Sequence, residues 1–171
     1  MELIFVRHGR PEHVVEMEGS ADPGLADVGH EQAQQVGTWL LNAQIDALYV
    51  SPMQRARQTA APFAALSGMT AVVRDHLREF DHEGSSYVPT EVLKAIDPDG
   101  YRERIASGFL DEGFDQVQFL ADVVGAVDRI VADHRGQRVA VVCHGGVINA
   151  YLGHCLGFPD DDFMRFDVDY S

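Results

Sequence analysis

At or shortly past the end of four apolar runs, the chain carries side chains able to do chemistry. Arg7, His8 and Gly9 follow "LIFV"; Ser51 and, one helical turn on, Arg55 follow "ALYV". Arg78 and Glu79 come after "TAVV", and His144, Gly145 and Gly146 follow "RVAVVC". Gathered in one cleft, two histidines and two arginines would bind a dianion such as a phosphate monoester, because the guanidinium fork matches phosphate oxygens. Gly145, Gly146 and the free N–H groups of a helix starting there would extend that anion site. A histidine can attack phosphorus and carry the phosphoryl group covalently. A carboxylic acid nearby can hand a proton to the leaving oxygen. Arg7, His8, Arg55, Glu79 and His144 together predict metal-free phosphoryl transfer, with Glu83 and Asp81 as rivals of Glu79 for the acid.

For those four ends to meet, the apolar runs must be neighbouring strands, since open α/β sheets bind ligands just past the carboxyl ends of their strands. Residues 3–6, 47–50, 70–73 and 138–143 read as strands, and 139–142 are apolar enough to be buried on both faces. Helical spacing is carried by residues 29–42, with Ala33, Val36, Trp39 and Leu40 on one face. It recurs over 114–134, with Val117, Leu120, Val124, Val127 and Val131. Ser51-Pro52 predicts a helix start, continuing to about residue 66 and stopped by Gly68. Pro62 predicts a kink or break inside it. Residues 147–156 read as a helix, and "FMRFDVDY", residues 163–170, as a last strand. The alternation predicts an α/β three-layer sandwich, a mostly parallel central sheet with helices on both faces. Residues 81–113, rich in Gly, Ser and Pro, read as a lid-like insertion in a single domain spanning 1–171.

The 171 residues are 46% apolar, enough for a substantial core. No run reaches the length of a membrane span. The start lacks the basic and small-residue signature of a signal peptide, so a cytoplasmic protein is expected. A formal net charge of −14 opposes binding to nucleic acid and to anionic membranes. It also makes basic clusters informative, since there are 13 lysines and arginines and only one is a lysine, Lys94. Cys143 and Cys155 match no zinc or redox spacing and are expected to be reduced, buried and structural.

The stretches "VRHGRPE", "LADVGHEQA", "YVSPMQRARQTA", "LREF" and "VVCHGGVINA" together resemble the histidine phosphatase superfamily, phosphoglycerate mutase-like branch. The resemblance runs from residue 3 to about 156. "RHG" alone recurs by chance; five motifs in order at near the usual spacing do not. The resemblance implies a phosphoglycerate mutase-like fold and no metal or other cofactor. It makes His8 the nucleophile, with Arg7 and Arg55 on the phosphoryl oxygens and His144 stabilising the charge of the transition state. Glu79 becomes the general acid and then the base that activates water. The phosphate site is then Arg7, His8, Arg55, His144 and Gly145, with the Gly9 carbonyl fixing the His8 tautomer.

Departures from the family pattern bear on the substrate. Relatives often read "RHGET" or "RHGQT", where this chain has Arg10, Pro11, Glu12 and His13. The threonine usual before the "GxxQA" helix is Ala26. Mutases place arginine and tyrosine just after the acid to hold a carboxylate, where this chain has Phe80 and His82. Their insertion is longer and more basic than residues 81–113, which mix Lys94, Arg102 and Arg104 with acidic residues. Relatives also tend to continue with a strand and a tail beyond a segment like "FMRFDVDYS", which bears on how the pocket is closed. Arg10, His13, Phe80 and His82 are candidate substrate contacts, and Phe80, Tyr87, Val88 and Phe109 suggest an apolar part of the site.

Two function classes follow. One is an enzyme: a metal-independent phosphomonoesterase that hydrolyses a small phosphorylated metabolite to inorganic phosphate through phosphohistidine. The bisphosphoglycerate-dependent mutase is the alternative within that class. The other is a phosphate-ligand-binding regulatory module without turnover. A homodimer is left open. Arg57 and the acidic run Asp160, Asp161 and Asp162 are expected to be solvated, and the remaining histidines structural or solvated.

Overall fold

A computed structural model describes residues 1–15, 18–106, 114–159 and 164–171. Four parallel strands form the sheet: β1 (Glu2–Arg7), β2 (Ala47–Val50), β3 (Val72–Val73) and β4 (Arg138–Cys143), in the order β1-β4-β2-β3. The helices are α1 (Asp27–Asn42), α2 (Gln54–Ser67), α3 (Thr90–Ile96), α4 (Pro98–Ala106), α5 (Gln116–Asp133) and α6 (Gly145–Leu156). The α/β three-layer arrangement is the one the alternating pattern predicts.

The alternation of β4 explains the layers. Val139, Val141 and Cys143 pack with Leu120, Val123 and Val127 of α5 and Val147 of α6. Ala140 and Val142 turn the other way, onto Leu40 of α1 and Ala56, Ala60 and Phe63 of α2. A side chain of this size, fully buried, contributes roughly 1.5–3 kcal/mol. Register then sets the site. Arg7 pairs with Cys143 and Val50 with Val142. The first residues past the ends stay in the ladder, His8 N–H donating to Cys143 O and Ser51 N–H to Val142 O. The residues that follow β1, β2 and β4 are therefore neighbours.

Several sequence expectations are corrected. Residues 164–170 join no strand. Their backbone is anchored instead by Asn149, whose Nδ2 donates to Phe166 O and whose Oδ1 accepts from Phe166 N–H. The third strand is two exposed residues, not four. Helix α2 starts at Gln54 behind an extended Met53 and runs unbroken through Pro62 to Gly68, which takes the left-handed conformation. Trp39 and Val117 are exposed. The true core faces use Gly29, Ala33, Gly37 and Leu40 on α1, and Leu120, Val123, Ala126, Val127 and Ile130 on α5. The buried face of α1 is small where it meets its neighbours: a Cβ on Gly37 would press on Pro62 and Phe63 of α2 and one on Gly29 on the Arg10 backbone, while Trp39 lies on the outer face. Cys143 is buried but Cys155 is exposed. Helix α6 begins at Gly145, two residues earlier than its apolar pattern suggests. Phe109 and the Asp160–162 run lie outside the described residues. None of the described helices is long and apolar enough to cross a membrane.

Candidate active site

His8 leaves β1 as its ladder ends and is 2% exposed. Its Nδ1 lies 2.8 Å from the Gly9 carbonyl. A carbonyl only accepts, so Nδ1 carries the proton and Nε2 keeps its lone pair. The Arg55 Nε–H points at that lone pair from 3.3 Å. The Gly9 N–H donates to the Thr59 hydroxyl, which donates in turn to the Arg55 carbonyl. One threonine thus ties the turn after β1 to the helix that carries Arg55. Burial, then the Arg55 and Arg7 charges, hold the His8 pKa well below its ordinary value. His8 is therefore a neutral imidazole at pH 7.

His144 leaves β4 with no exposure, its ring 5.0 Å from that of His8. Its Nε2 is 2.8 Å from the Ser51 hydroxyl, which already accepts from the Met53 N–H. With one lone pair and its own proton still available, the hydroxyl can pair with either tautomer of the ring; the one in which Ser51 donates to Nε2 places the ring proton on Nδ1. Nδ1 is buried and makes no hydrogen bond among the described residues. Burial and Arg55 lower the pKa of His144 as well. Ser51 is thus not a helix cap, as its place before Pro52 suggests, but the partner of a histidine 93 residues away.

The two arginines lie on aromatic rings. The Arg7 guanidinium sits 3.9 Å over Tyr170 and donates to the Val168 carbonyl. Fully buried Arg55 sits 4.6 Å over Tyr87. Its Nη1 and Nη2 are each 3.7 Å from a carboxylate, Asp22 and Asp81, and make no hydrogen bond among the described residues. Buried donors of this kind are costly unless satisfied, and their geometry suits an oxyanion. Tyr170 also packs 5.4 Å from His8, and its hydroxyl is 3.4 Å from that of Tyr87.

Glu79 follows a 3-10 turn (Asp75–Leu77) whose Leu77 is locked in the core. The Gly146 N–H, in the first turn of α6, donates to Glu79 Oε2 at 2.9 Å. The Phe80 N–H donates to Oε1 at 3.2 Å. Gly146 permits this approach: a Cβ there would run into Glu79 Oε1 and lie 2.7 Å from Phe80 Cδ1. Burial, reinforced by Asp81, pushes the Glu79 pKa up to about 7. A carboxyl raised into that range is suited to giving and taking a proton near neutrality.

A cavity of about 400 Å³ opens onto Arg7, Glu79 and Gly145. Asp81, Tyr87, Leu93 and Tyr101, from the expected insertion, line its wall. Phe80 lines it too, but His82 faces a separate hollow of about 320 Å³ with His76 and Asp122. The His82 ring is turned there by its Nδ1 contact with the Glu79 carbonyl at 2.8 Å. Arg10 and exposed His13 do not line the cavity. Bridges of Pro11 to Leu25 and Val14 to Tyr87 carry that stretch past it. Glu83 is exposed and Asp81 is at the rim, so of the three candidate acids only Glu79 is buried beside Gly146. Among the described residues, no group of three or more His, Cys, Asp or Glu is placed to hold a metal ion.

Sequence reasoning placed Ser51 at a strand end but gave it the role of a helix cap, and it missed Thr59, Asp22 and Tyr170. Ser51 and Thr59 lie inside a quoted motif, next to Pro52 and near Arg55, and that position was the available signal. Asp22 and Tyr170 carry none, because only the folded chain brings them to the arginines.

The family model of the histidine phosphatase superfamily, branch 1, matches residues 3–171. A Schizosaccharomyces pombe protein named as a phosphatase is 30% identical over 98% of this chain and 78% of its own length. Phosphoserine phosphatase 1 of Hydrogenobacter thermophilus is 28% identical over 99% and 82%. The structure of a mycobacterial glucosyl-3-phosphoglycerate phosphatase bound to VO3 superposes with a TM-score of 0.76. It is 23% identical and covers 96% of this chain and 86% of that one, which is a likeness of fold.

Proposed function

Because the chain belongs to branch 1 of the histidine phosphatase superfamily, and is a histidine acid phosphatase-type hydrolase acting on a small phosphorylated compound, we propose that it works through a phosphohistidine on His8 without a metal. The observation that carries this reading is the fixed tautomer of His8: Nδ1–H held by the Gly9 carbonyl and an Nε2 lone pair facing Arg55. In the first step that lone pair forms an N–P bond while the P–O bond to the leaving group breaks. Protonated Glu79 gives its proton to the departing oxygen, so the alcohol leaves neutral. Arg7, Arg55, the Nδ1–H of His144 and the α6 N-terminus hold the equatorial oxygens, where charge builds in the transition state. In the second step Glu79, now a carboxylate, takes a proton from water. The hydroxide oxygen bonds to phosphorus, the N–P bond breaks, and its electron pair returns to Nε2. Inorganic phosphate departs with Glu79 protonated again.

The test is transfer of labelled phosphoryl from an aryl phosphate to the protein. The expected result is an acid-labile, base-stable protein label that His8→Ala abolishes together with turnover, while EDTA changes neither. Turnover that survives His8→Ala but is lost in EDTA would refute the mechanism. Primer-dependent exchange between two hydroxyls of phosphoglycerate would establish a mutase instead. Tight phosphate binding with no turnover of any monoester would establish a regulatory module.

A further inference from the structure

We propose that Gln32 and Thr59 are positioning residues of the reaction: from two different helices they fix the two peptide planes of Gly9, and through them the ring nitrogen with which His8 attacks. This rests on the phosphohistidine reading above and concerns how the nucleophile is kept ready.

Gly9 is the joint on which that nitrogen depends. Its carbonyl holds the proton on His8 Nδ1 and so leaves the lone pair on Nε2. Glycine has the most permissive backbone of any residue, so the joint is soft unless something else stiffens it. A side chain at this position cannot do so: a Cβ on Gly9 would lie 2.6 Å from the Gly29 carbonyl oxygen, in the first turn of α1. The stiffness has to come from neighbours.

Two neighbours supply it, one on each side of the Gly9 Cα. Peptide groups are planar, so a hydrogen bond at one end of a plane orients the other end. The plane between Gly9 and Arg10 carries the Gly9 carbonyl at one end and the Arg10 N–H at the other. That N–H donates to Gln32 Oε1 of α1 at 2.8 Å. The plane between His8 and Gly9 carries the Gly9 N–H, which donates to Thr59 Oγ1 of α2 at 2.9 Å. The Thr59 hydroxyl proton is committed to the Arg55 carbonyl at 2.8 Å, so the hydroxyl meets Gly9 only as an acceptor. Thr59 is fully buried, and a buried N–H that loses its acceptor is costly to leave in place. The same hydroxyl keeps the glycine in step with Arg55, whose Nε–H faces His8 Nε2 at 3.3 Å. One residue further on, the Ala26 N–H donates to the Arg10 carbonyl, so loss of one clamp loosens Gly9 rather than the whole loop. Once the glycine turns, its carbonyl leaves Nδ1. A neutral imidazole can then carry its proton on Nε2, where no lone pair remains to attack phosphorus.

The position of the ring proton is read from the 15N shifts of the His8 ring at pH 7, and its effect from steady-state turnover of phenyl phosphate. In the wild type the proton should sit on Nδ1. Thr59→Val and Gln32→Leu keep the bulk of the side chain, but each removes an acceptor. In each, a substantial share of the proton should move to Nε2, kcat should fall about tenfold or more, and KM should stay within about threefold. Thr59→Ser and Gln32→Glu keep the acceptor and should restore most of both. A proton that stays on Nδ1 in both acceptor-less variants would overturn the proposal, and so would losses that the acceptor-keeping variants fail to restore. A ring proton that moves while kcat holds at the wild-type value would instead strike the nucleophilic role of His8, and this inference with it. Gln32 is only half-buried, so Gln32→Leu decides the matter even where Thr59→Val fails to fold.

Discussion

Gly146→Ala is the sharpest test of how Glu79 is held. The new Cβ would collide with Glu79 Oε1 and lie 2.7 Å from Phe80 Cδ1, well inside the roughly 3.5–4.0 Å of ordinary carbon contact. Helix α6 is fixed by the core below it, so the turn bearing Glu79 and Phe80 must withdraw by about 1 Å. A displacement of that size at a reacting group costs on the order of 100-fold, within the 10²–10⁴ range of general acid catalysis. The overpacking itself should cost about 1–3 kcal/mol, readable as a lowered Tm. The assay is kcat/KM across phosphomonoesters of rising leaving-group pKa. Alkyl phosphates, which need the proton, should fall about 100-fold. Esters of acidic phenols, which leave unaided, should fall tenfold or less, and inhibition by vanadate should stay within about threefold of wild type. Glu79→Gln should reproduce the pattern. If alkyl and aryl substrates fall equally while vanadate inhibition weakens in step, the glycine serves the anion site and the argument from Glu79 is wrong.

Glu79 must be protonated to act as acid, so with its pKa at about 7 kcat/KM for alkyl phosphates should drop tenfold per pH unit above about 7. That limb should vanish in Glu79→Gln. Ser51→Ala removes the partner of His144 Nε2; kcat should fall about tenfold or more with little change in KM for an aryl phosphate, and Ser51→Thr should restore most of it. Stability should also depend on pH. Both buried histidines have folded pKa values below the unfolded 6.5, so the unfolded chain takes up protons first and stability is lost as pH falls through 6.5. Glu79, raised in the fold, opposes this between about pH 7 and 4.5. Denaturant melts of His8→Gln against wild type from pH 6.5 to 5.5 should show a slope shallower by ~1 kcal/mol per pH unit, and identical slopes would contradict the assignment of a buried neutral His8.

The sheet and the residues at its strand ends were legible because strong local signals agreed there. "RVAVVC" reads as a strand buried on both faces, and its six residues are β4. His8, Arg55 and His144 each follow an apolar strand, and parallel pairing brings such positions together. What failed to read was decided by long-range partners. Ser51 carries the local marks of a helix cap, yet a buried imidazole competes for its hydroxyl. "FMRFDVDY" alternates like a strand, yet its backbone groups are taken by Asn149 and Arg7. Trp39 and Val117 fit their helical stripes by spacing, but the buried stripe of each helix lies beside them, on Gly29, Ala33, Gly37 and Leu40 in α1 and on Leu120, Val123, Val127 and Ile130 in α5. Composition holds no record of such contacts.

The strand order has a consequence in time. Strand β4 is last in the sequence, yet it lies between β1 and β2. As the chain leaves the ribosome, β1 and β2 emerge early with no bond to one another, their inner edges waiting for residues 138–143. Long-range parallel closure of this kind is slow, and until it happens two apolar edges stay open to other chains. The same event brings His144 to His8 and Ser51. Sealing the sheet and creating the reactive centre are one step, so a chain that stalls short of it has neither a closed core nor a working histidine pair. The enzyme's aggregation hazard and its latency therefore end together.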